Sequence, residues 1–143
     1  MLDRDVVLAK LTTIERCLAR IQEVRNRSEL RPIDVTDLTA LNLQRAVQAA
    51  MDLASHIVAS EGFGLPAVAG DAFLLLAERD VLTPELAERL RRMVGFRNIA
   101  IHEYSRLNPD VVDGIVRDRL GDLRELMARA RELLESAPGS PTR

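Results

Sequence analysis

Four polar residues with complementary chemistry lie close together in the stretch RNIAIHEY, residues 97–104. They are Arg97, Asn98, His102 and Tyr104, and the last of these is the chain's only tyrosine. On a helix that turns by about 100° per residue, all four project within less than half of the circumference. The spacing therefore predicts one polar strip on the surface of a helix.

The strip suits the cleavage of a phosphodiester bond in RNA. Histidine has an unperturbed pKa of about 6.5, so His102 can take and give protons near neutral pH. Arginine offers a planar, permanently charged fork for phosphate oxygens, which Arg97 can direct at a charged transition state. RNA supplies its own nucleophile, the 2′-hydroxyl, so a base and a cation could suffice without a metal. One histidine is poor provision for both acid and base, and a two-fold homodimer would supply a second.

Spacing alone leaves a second interpretation open, because an arginine and a histidine on one helix face are often only a hydrogen-bonded surface pair. The chain's other histidine, His56, has no arginine nearby, and we interpret it as a packing or surface residue. Cys17, the single cysteine, lacks a neighbouring base and is expected to be a small buried apolar group. One cysteine and two separated histidines predict no zinc site.

The charge of the chain is unevenly distributed. The net charge of −2 does not indicate a surface built as a whole for nucleic acid. Residues 89–106 nevertheless carry five arginines against one glutamate, Glu103: Arg89, Arg91, Arg92, Arg97 and Arg106. This segment is either a solvated basic helix face or a patch that binds phosphate.

The segments around the strip predict the helices that must position it. Apolar side chains recur at steps of three and four within residues 2–25, and an alanine-rich helical segment follows at residues 38–60. Thr83-Pro84-Glu85 and Asn108-Pro109-Asp110 are both helix start signals. The first predicts a helix from Pro84 to about Tyr104, with the strip at its end, and the second begins a final helix.

No segment shows the alternation typical of a β-strand, so we predict an all-α domain. The expected architecture is an antiparallel bundle of four long helices and one short helix. The domain spans residues 1–136, and residues 137–143 form a flexible tail. No apolar run reaches the ~18 residues of a membrane span, and the N-terminus is charged where a signal peptide would be apolar. With a single cysteine, these features predict a cytoplasmic protein.

Residues 97–104 resemble the R-x-x-x-x-H-x-Y signature of HepT-like toxins, within the HEPN superfamily. Asn98 matches the polar residue that typically follows the arginine in that superfamily. The context is also similar, because the motif lies at the end of a penultimate long helix, before a proline-containing turn and a final helix. The alanine-rich second helix and the total length agree, so the resemblance covers essentially the whole chain.

The resemblance implies a HEPN-like fold and a metal-independent endoribonuclease that acts as a homodimer, with the motifs of both subunits lining a cleft. It implies that Arg97 and His102 are catalytic and Asn98 supporting, with no cofactor. HepT-like toxins are paired with a minimal nucleotidyltransferase antitoxin of the MntA type, in a type VII-like toxin–antitoxin system. Such an antitoxin is expected to transfer AMP from ATP to Tyr104 and so to block the cationic site.

Two other functions fit the same sequence. The chain could be a non-catalytic helical partner, or a nucleotide- or substrate-binding subunit, of a minimal nucleotidyltransferase. It could also be a generic helical dimerisation module, in which the strip has no activity. Cleavage of RNA that depends on Arg97 and His102 distinguishes the toxin from both alternatives.

Overall fold

Helices make up the regular structure in the part of the chain that the computed structural model describes, residues 1–103 and 107–136. In chain order they are α1 (Arg4–Arg25), α2 (Pro32–Glu61), α3 (Ala72–Glu78), α4 (Pro84–His102), α5 (Pro109–Asp118) and α6 (Leu120–Ser136). A short 3-10 turn at Ala69–Asp71 precedes α3. The all-α prediction is confirmed, and the predicted tail at residues 137–143 lies outside the described residues.

The first two helices pack side by side in opposite directions. Asp3 caps the start of α1, because its carboxylate accepts hydrogen bonds from two backbone N–H groups of the first turn. The beginning of α1 lies beside the end of α2, because Nζ of Lys10 is 3.1 Å from the carboxylate of Asp52. Alanines in the middle of α2 are buried and allow neighbouring helices to approach closely: Ala46, Ala49, Ala50 and Ala54.

The fourth helix starts where local chemistry predicts. The hydroxyl of Thr83 accepts a hydrogen bond from the backbone N–H of Leu86 over 3.1 Å, and Pro84 is the first helical residue. One stripe of α4 is buried: Leu86, Leu90, Met93, Phe96 and Ala100. These steps of three and four fix the rotation of the helix about its axis, so residues on the opposite side, such as Asn98, are exposed.

The predicted final helix is divided in two, which corrects the expected helix count. Arg119 has φ −121° and ψ −9°, a backbone conformation outside the α-helical range, and it separates α5 from α6. Gly114 and Gly121 flank the break, and each glycine costs about 1 kcal/mol relative to alanine inside a helix. In residues 1–103 and 107–136 the bundle therefore has four long helices, as predicted, and two short ones, α3 and α5.

One buried cluster of apolar side chains joins the helices. Its largest fully buried members include Leu53 of α2, Phe73 of α3 and Leu123 of α6. This core holds α4 against α2 and so determines which side chains of α2 lie beside Arg97. In residues 1–103 and 107–136, no helix combines the length and the apolar character needed to cross a membrane.

Candidate active site

Arg97 is half-buried on the side of α4 that packs against α2, where two neutral amides hold its side chain. Nη1 of the guanidinium donates to Oδ1 of Asn98 over 2.8 Å, and Nη2 donates to Oε1 of Gln48 on α2. The inner nitrogen, Nε, is buried and has no hydrogen-bond partner among the described residues. Because neither amide carries a charge, the guanidinium is oriented without being neutralised.

A chain of polar contacts continues from Gln48 to α1. Nε2 of Gln48 donates to Oδ1 of Asp52 over 2.9 Å, and Nζ of Lys10 donates to Oδ2 of the same carboxylate over 3.1 Å. Since Asp52 accepts from the amide nitrogen, the amide oxygen of Gln48 is turned toward Arg97. Sequence reasoning missed Gln48, which lies 49 positions before Arg97 and meets it only because α2 packs against α4.

His102 is the last residue of α4, and its side chain is exposed. It follows Arg97 by five positions, which places it about 140° further round the helix. Asn98 and His102 are exposed, whereas Arg97 is half-buried beside α2, so a single catalytic strip of the three residues stays a prediction. No hydrogen bond between described residues involves the imidazole of His102, so its nitrogens face solvent.

Tyr104 lies outside the described residues, and its place in the site stays a prediction. The sequence predicts a helix to about Tyr104, but the structure ends α4 at His102. Glu103 has φ −138° and ψ 51°, and its backbone N–H makes the last bond of the helix, to the carbonyl of Ile99. The last helical residue, His102, is two positions before the predicted helix end at about Tyr104.

The other arginines of α4 have carboxylate partners. Three ion pairs account for them: Arg89 with Asp122 at 3.0 Å, Arg91 with Asp71 at 3.4 Å, and Arg92 with Glu88 at 3.4 Å. The basic segment is therefore largely neutralised, which favours a structural or solvated face over a phosphate-binding patch at these three positions. Arg106, the remaining arginine of the segment, is not among the described residues.

A groove begins at the strip and runs back along α4 toward these ion pairs. This α4 groove has a volume of about 480 Å³, and its lining includes Asp71, Glu88, Arg91, Arg92, Arg97 and Asn98. Its acidic residues are the partners of its own arginines, apart from Arg97. The groove therefore offers little uncompensated positive charge beyond Arg97 itself.

Cys17 and His56 have the structural roles that the sequence predicts. Cys17 is 6% exposed, and burial raises the pKa of its thiol, an effect that the positive charge of Arg45 partly opposes. Nε2 of His56 accepts a hydrogen bond from the backbone N–H of Asp3 over 3.1 Å and so ties α2 to the start of α1. The described part of the chain contains no group of three or more His, Cys, Asp or Glu side chains placed to hold a metal ion.

Comparison with known proteins gives matches along most of the chain. Residues 14–130 match the family described as Ribonuclease HepT-like. The chain is 39% identical over 125 residues to the mRNA nuclease HepT of Shewanella oneidensis, which covers 86% of this chain and 94% of that protein. It is 31% identical over 110 residues to the tRNA nuclease HepT of Aphanizomenon flos-aquae, with 75% of each chain covered.

A solved structure is similar to this chain in fold as well as in sequence. The HEPN toxin of Shewanella oneidensis, tri-AMPylated and in complex with an MNT antitoxin, matches this chain with a TM-score of 0.83 and 36% identity. The match covers 90% of this chain and 98% of that one. Sequence and fold therefore point to the same group of proteins.

Proposed function

Since this chain belongs to the HepT-like family of ribonucleases, we propose that it cleaves RNA with Arg97 and His102, supported by Asn98. The family, the HEPN-like fold and the ribonuclease class are those that the sequence predicts, and they are confirmed. One observation supports the residue assignment above all: Arg97 is the one arginine of α4 without a carboxylate partner among the described residues. A phosphate bound there would meet an oriented guanidinium with its charge intact.

In the proposed reaction, the 2′-hydroxyl of RNA is the nucleophile. The imidazole of His102, in its neutral form, takes the proton of this hydroxyl as the 2′-oxygen attacks the adjacent phosphorus. Arg97 stabilises the negative charge on the non-bridging oxygens of the pentacoordinate transition state. The bond from phosphorus to the 5′-oxygen then breaks, and that oxygen receives a proton from a general acid. The products are a 2′,3′-cyclic phosphate and a 5′-hydroxyl end.

The general acid is proposed to come from a second copy of the chain. A neutral imidazole that accepts one proton cannot also donate one in the same step, so two copies of His102 are needed. A two-fold homodimer brings the same strip of both copies together. The position of His102 at the exposed end of α4 suits a residue that is shared across such a cleft.

A nucleotidyltransferase of the MNT type is proposed to restrain this ribonuclease, which would be the toxin of a toxin–antitoxin pair. The solved toxin from Shewanella oneidensis is AMPylated and bound to an MNT antitoxin. Here the hydroxyl of Tyr104 would attack the α-phosphorus of ATP and release pyrophosphate. The resulting adenylate adds bulk and negative charge beside the cationic strip, where it would repel RNA. Cellular RNA as the substrate places the proposed activity in the cytoplasm.

RNA cleavage in the presence of EDTA tests this function, with the chain expressed without any nucleotidyltransferase. The matched variants are His102→Gln and His56→Gln, which change the two histidines in the same way. We expect wild type and His56→Gln to cleave, and His102→Gln to lose at least about 100-fold in rate. An intact mass of each sample shows whether it carries an adenylate.

Equal cleavage by His102→Gln and wild type would contradict the catalytic assignment. A folded, unmodified wild type that cuts no RNA but co-purifies with a nucleotidyltransferase would instead support the binding-subunit alternative.

A further inference from the structure

A second groove opens at Arg97, on the face that α1 and α2 share. Its near part has a volume of about 420 Å³ and is lined by residues of α1, α2 and α4, including Lys10, Asp52 and Arg97. Its far part, of about 560 Å³, lies between α1 and α2. Thr13 and Arg45 line both parts, so the two are adjacent, and together they form what we call the α1–α2 groove.

Positive charge dominates the α1–α2 groove. Its lining contains five cationic side chains: Lys10, Arg16, Arg20, Arg45 and Arg97. Among the described residues Asp52 is the one carboxylate that lines it, and this carboxylate pairs with Lys10. Arg20 is compensated from outside the lining by Glu23. Three cations remain, which are Arg97 and, further along, Arg45 and Arg16.

Arg45 and Arg16 are exposed and available for a ligand. Neither takes part in an ion pair or hydrogen bond with another described residue. The acidic residue next to Arg16 in the chain, Glu15, turns away and pairs with Arg131 of α6 over 3.1 Å. Both guanidinium groups can therefore bind an anion without first releasing a carboxylate.

The α4 groove also reaches Arg97, but its charges are arranged differently. Arg91 and Arg92 already bind Asp71 and Glu88, which are part of the same lining. A phosphate in that groove would approach two carboxylates and would have to displace at least one of them. Like charges at close range oppose binding, so the α4 groove is the less favourable path for a polyanion.

We propose that the α1–α2 groove binds the phosphate backbone of the RNA strand on one side of the cleaved bond, given that the chain is a ribonuclease acting at Arg97. Arg45 binds the phosphates nearer to Arg97, since it lies less than one turn of α2 from Gln48, the residue that holds Arg97. Arg16 binds those further away, because it lines only the far part. Phosphate contacts of this kind give affinity and register without reading bases.

The dependence of RNA binding on salt concentration tests this path. The probe is a short fluorescein-labelled single-stranded RNA of mixed sequence, with His102→Gln in every sample so that the strand stays intact. The groove variants are Arg45→Gln and Arg16→Gln. The matched controls, Arg91→Gln and Arg92→Gln, remove the same formal charge from the α4 groove, so a general effect of net charge appears in all four.

Each groove variant is expected to weaken binding and to reduce the slope of log K against log salt by about 0.7 for each phosphate that the protein no longer neutralises. Arg45→Lys keeps the charge and is expected to keep the slope. The two controls are expected to retain the slope of the parent protein. Thermal unfolding of each variant shows that the fold is intact.

Four results would overturn the assignment. If the wild type cleaves RNA in EDTA while Arg45→Gln and Arg16→Gln bind RNA like the parent, the groove is wrong and the ribonuclease function stands. A reduced slope in Arg91→Gln and Arg92→Gln alone would place the RNA in the α4 groove. If Arg45→Gln and Arg16→Gln convert a dimer to monomers, the groove is a contact between copies of the chain. If no protein in the series binds or cleaves RNA, both the assignment of the groove and the proposed function are wrong.

Discussion

Two sets of arginines look alike in the sequence and differ in the structure. The first set, on the early turns of α4, comprises Arg89, Arg91 and Arg92, and each has a carboxylate between 3.0 and 3.4 Å away. The second set lines the α1–α2 groove and comprises Arg16, Arg45 and Arg97. Among the described residues, the hydrogen-bond partners of the Arg97 side chain are the neutral amides of Asn98 and Gln48. Only the second set keeps its charge free for a phosphate.

The difference shows that the number of arginines in a segment does not locate a phosphate site. A carboxylate fills the planar fork of a guanidinium and offsets its charge, so a phosphate has to compete with it. Such partners can come from distant parts of the chain: Asp122 lies 33 positions after Arg89. The availability of an arginine is thus a property of packing, and the comparison can be tested with matched substitutions.

The largest effect is expected from the arginine at the end of the second set. Arg97→Gln should lower kcat for RNA cleavage by about 100- to 1,000-fold, because it removes the charge aimed at the transition state. Arg92→Gln removes the same charge from an exposed ion pair and should change kcat by about twofold or less. Steady-state cleavage assays measure both, and similar losses in the two variants would break the comparison.

A smaller effect is expected from the residue that orients Arg97. Gln48→Ala should lower kcat by about 10- to 100-fold with little change in KM, because a misplaced guanidinium still attracts RNA but no longer fits the transition state. Gln22→Ala, on an exposed part of α1, is the matched control. A wild-type kcat in folded Gln48→Ala would mean that Arg97 needs no support from α2.

Within the first set, Arg89 is expected to contribute to the stability of the fold and not to the binding or cleavage of RNA. Asp122, its partner, is 7% exposed and its Oδ2 already lacks a hydrogen-bond partner among the described residues. Arg89→Ala leaves this carboxylate unpaired and should lower the free energy of unfolding by about 1–3 kcal/mol. Urea unfolding beside Arg91→Ala, which breaks a more exposed pair, measures the difference. Equal stability of the two variants would show that burial of Asp122 is not decisive.

The smallest effect is expected on the pKa of Cys17, which responds to the charge of Arg45. Burial raises the pKa of Cys17 and Arg45 lowers it, so Arg45→Gln should raise this pKa further. Because the thiolate is the reactive form, iodoacetamide should modify the folded variant more slowly than the wild type at about pH 8.5. Faster alkylation of the folded variant would contradict the expected field of Arg45.

The raised pKa of Cys17 also makes the stability of the fold depend on pH. A folded-state pKa above the unfolded value stabilises the fold below the unfolded pKa, and that contribution is lost as pH rises through the folded pKa.

The starts of α4 and α5 were predictable because a local signal sets each of them. Thr83 and Asn108 cap α4 and α5 as expected, because each cap needs only the hydroxyl or amide oxygen and the N–H groups that follow. The break at Arg119 and the end of α4 at His102 were not predicted. Neither position itself carries a glycine or a proline, and the glycines that flank Arg119, Gly114 and Gly121, do not specify where the helix breaks.

The site was predictable only where one helix carries it. Helical geometry fixes the relative directions of Arg97, Asn98 and His102 on α4, but the sequence did not show that Arg97 is half-buried against α2. Gln48 could not be assigned, because its contact with Arg97 depends on how α2 packs against α4. For the same reason, the sequence did not distinguish the paired arginines of α4 from Arg45, which forms no ion pair with another described residue.

The ends that cleavage leaves on RNA test most directly whether Arg97 and His102 act on the 2′-hydroxyl. The measurement uses wild-type protein in EDTA, with unmodified RNA and the same strand 2′-O-methylated throughout. The expected result is 2′,3′-cyclic phosphate and 5′-hydroxyl ends from the unmodified strand, with no cleavage of the methylated one. Products with 3′-hydroxyl and 5′-phosphate ends, or cleavage of the methylated strand, would contradict it, since attack by the 2′-oxygen gives neither.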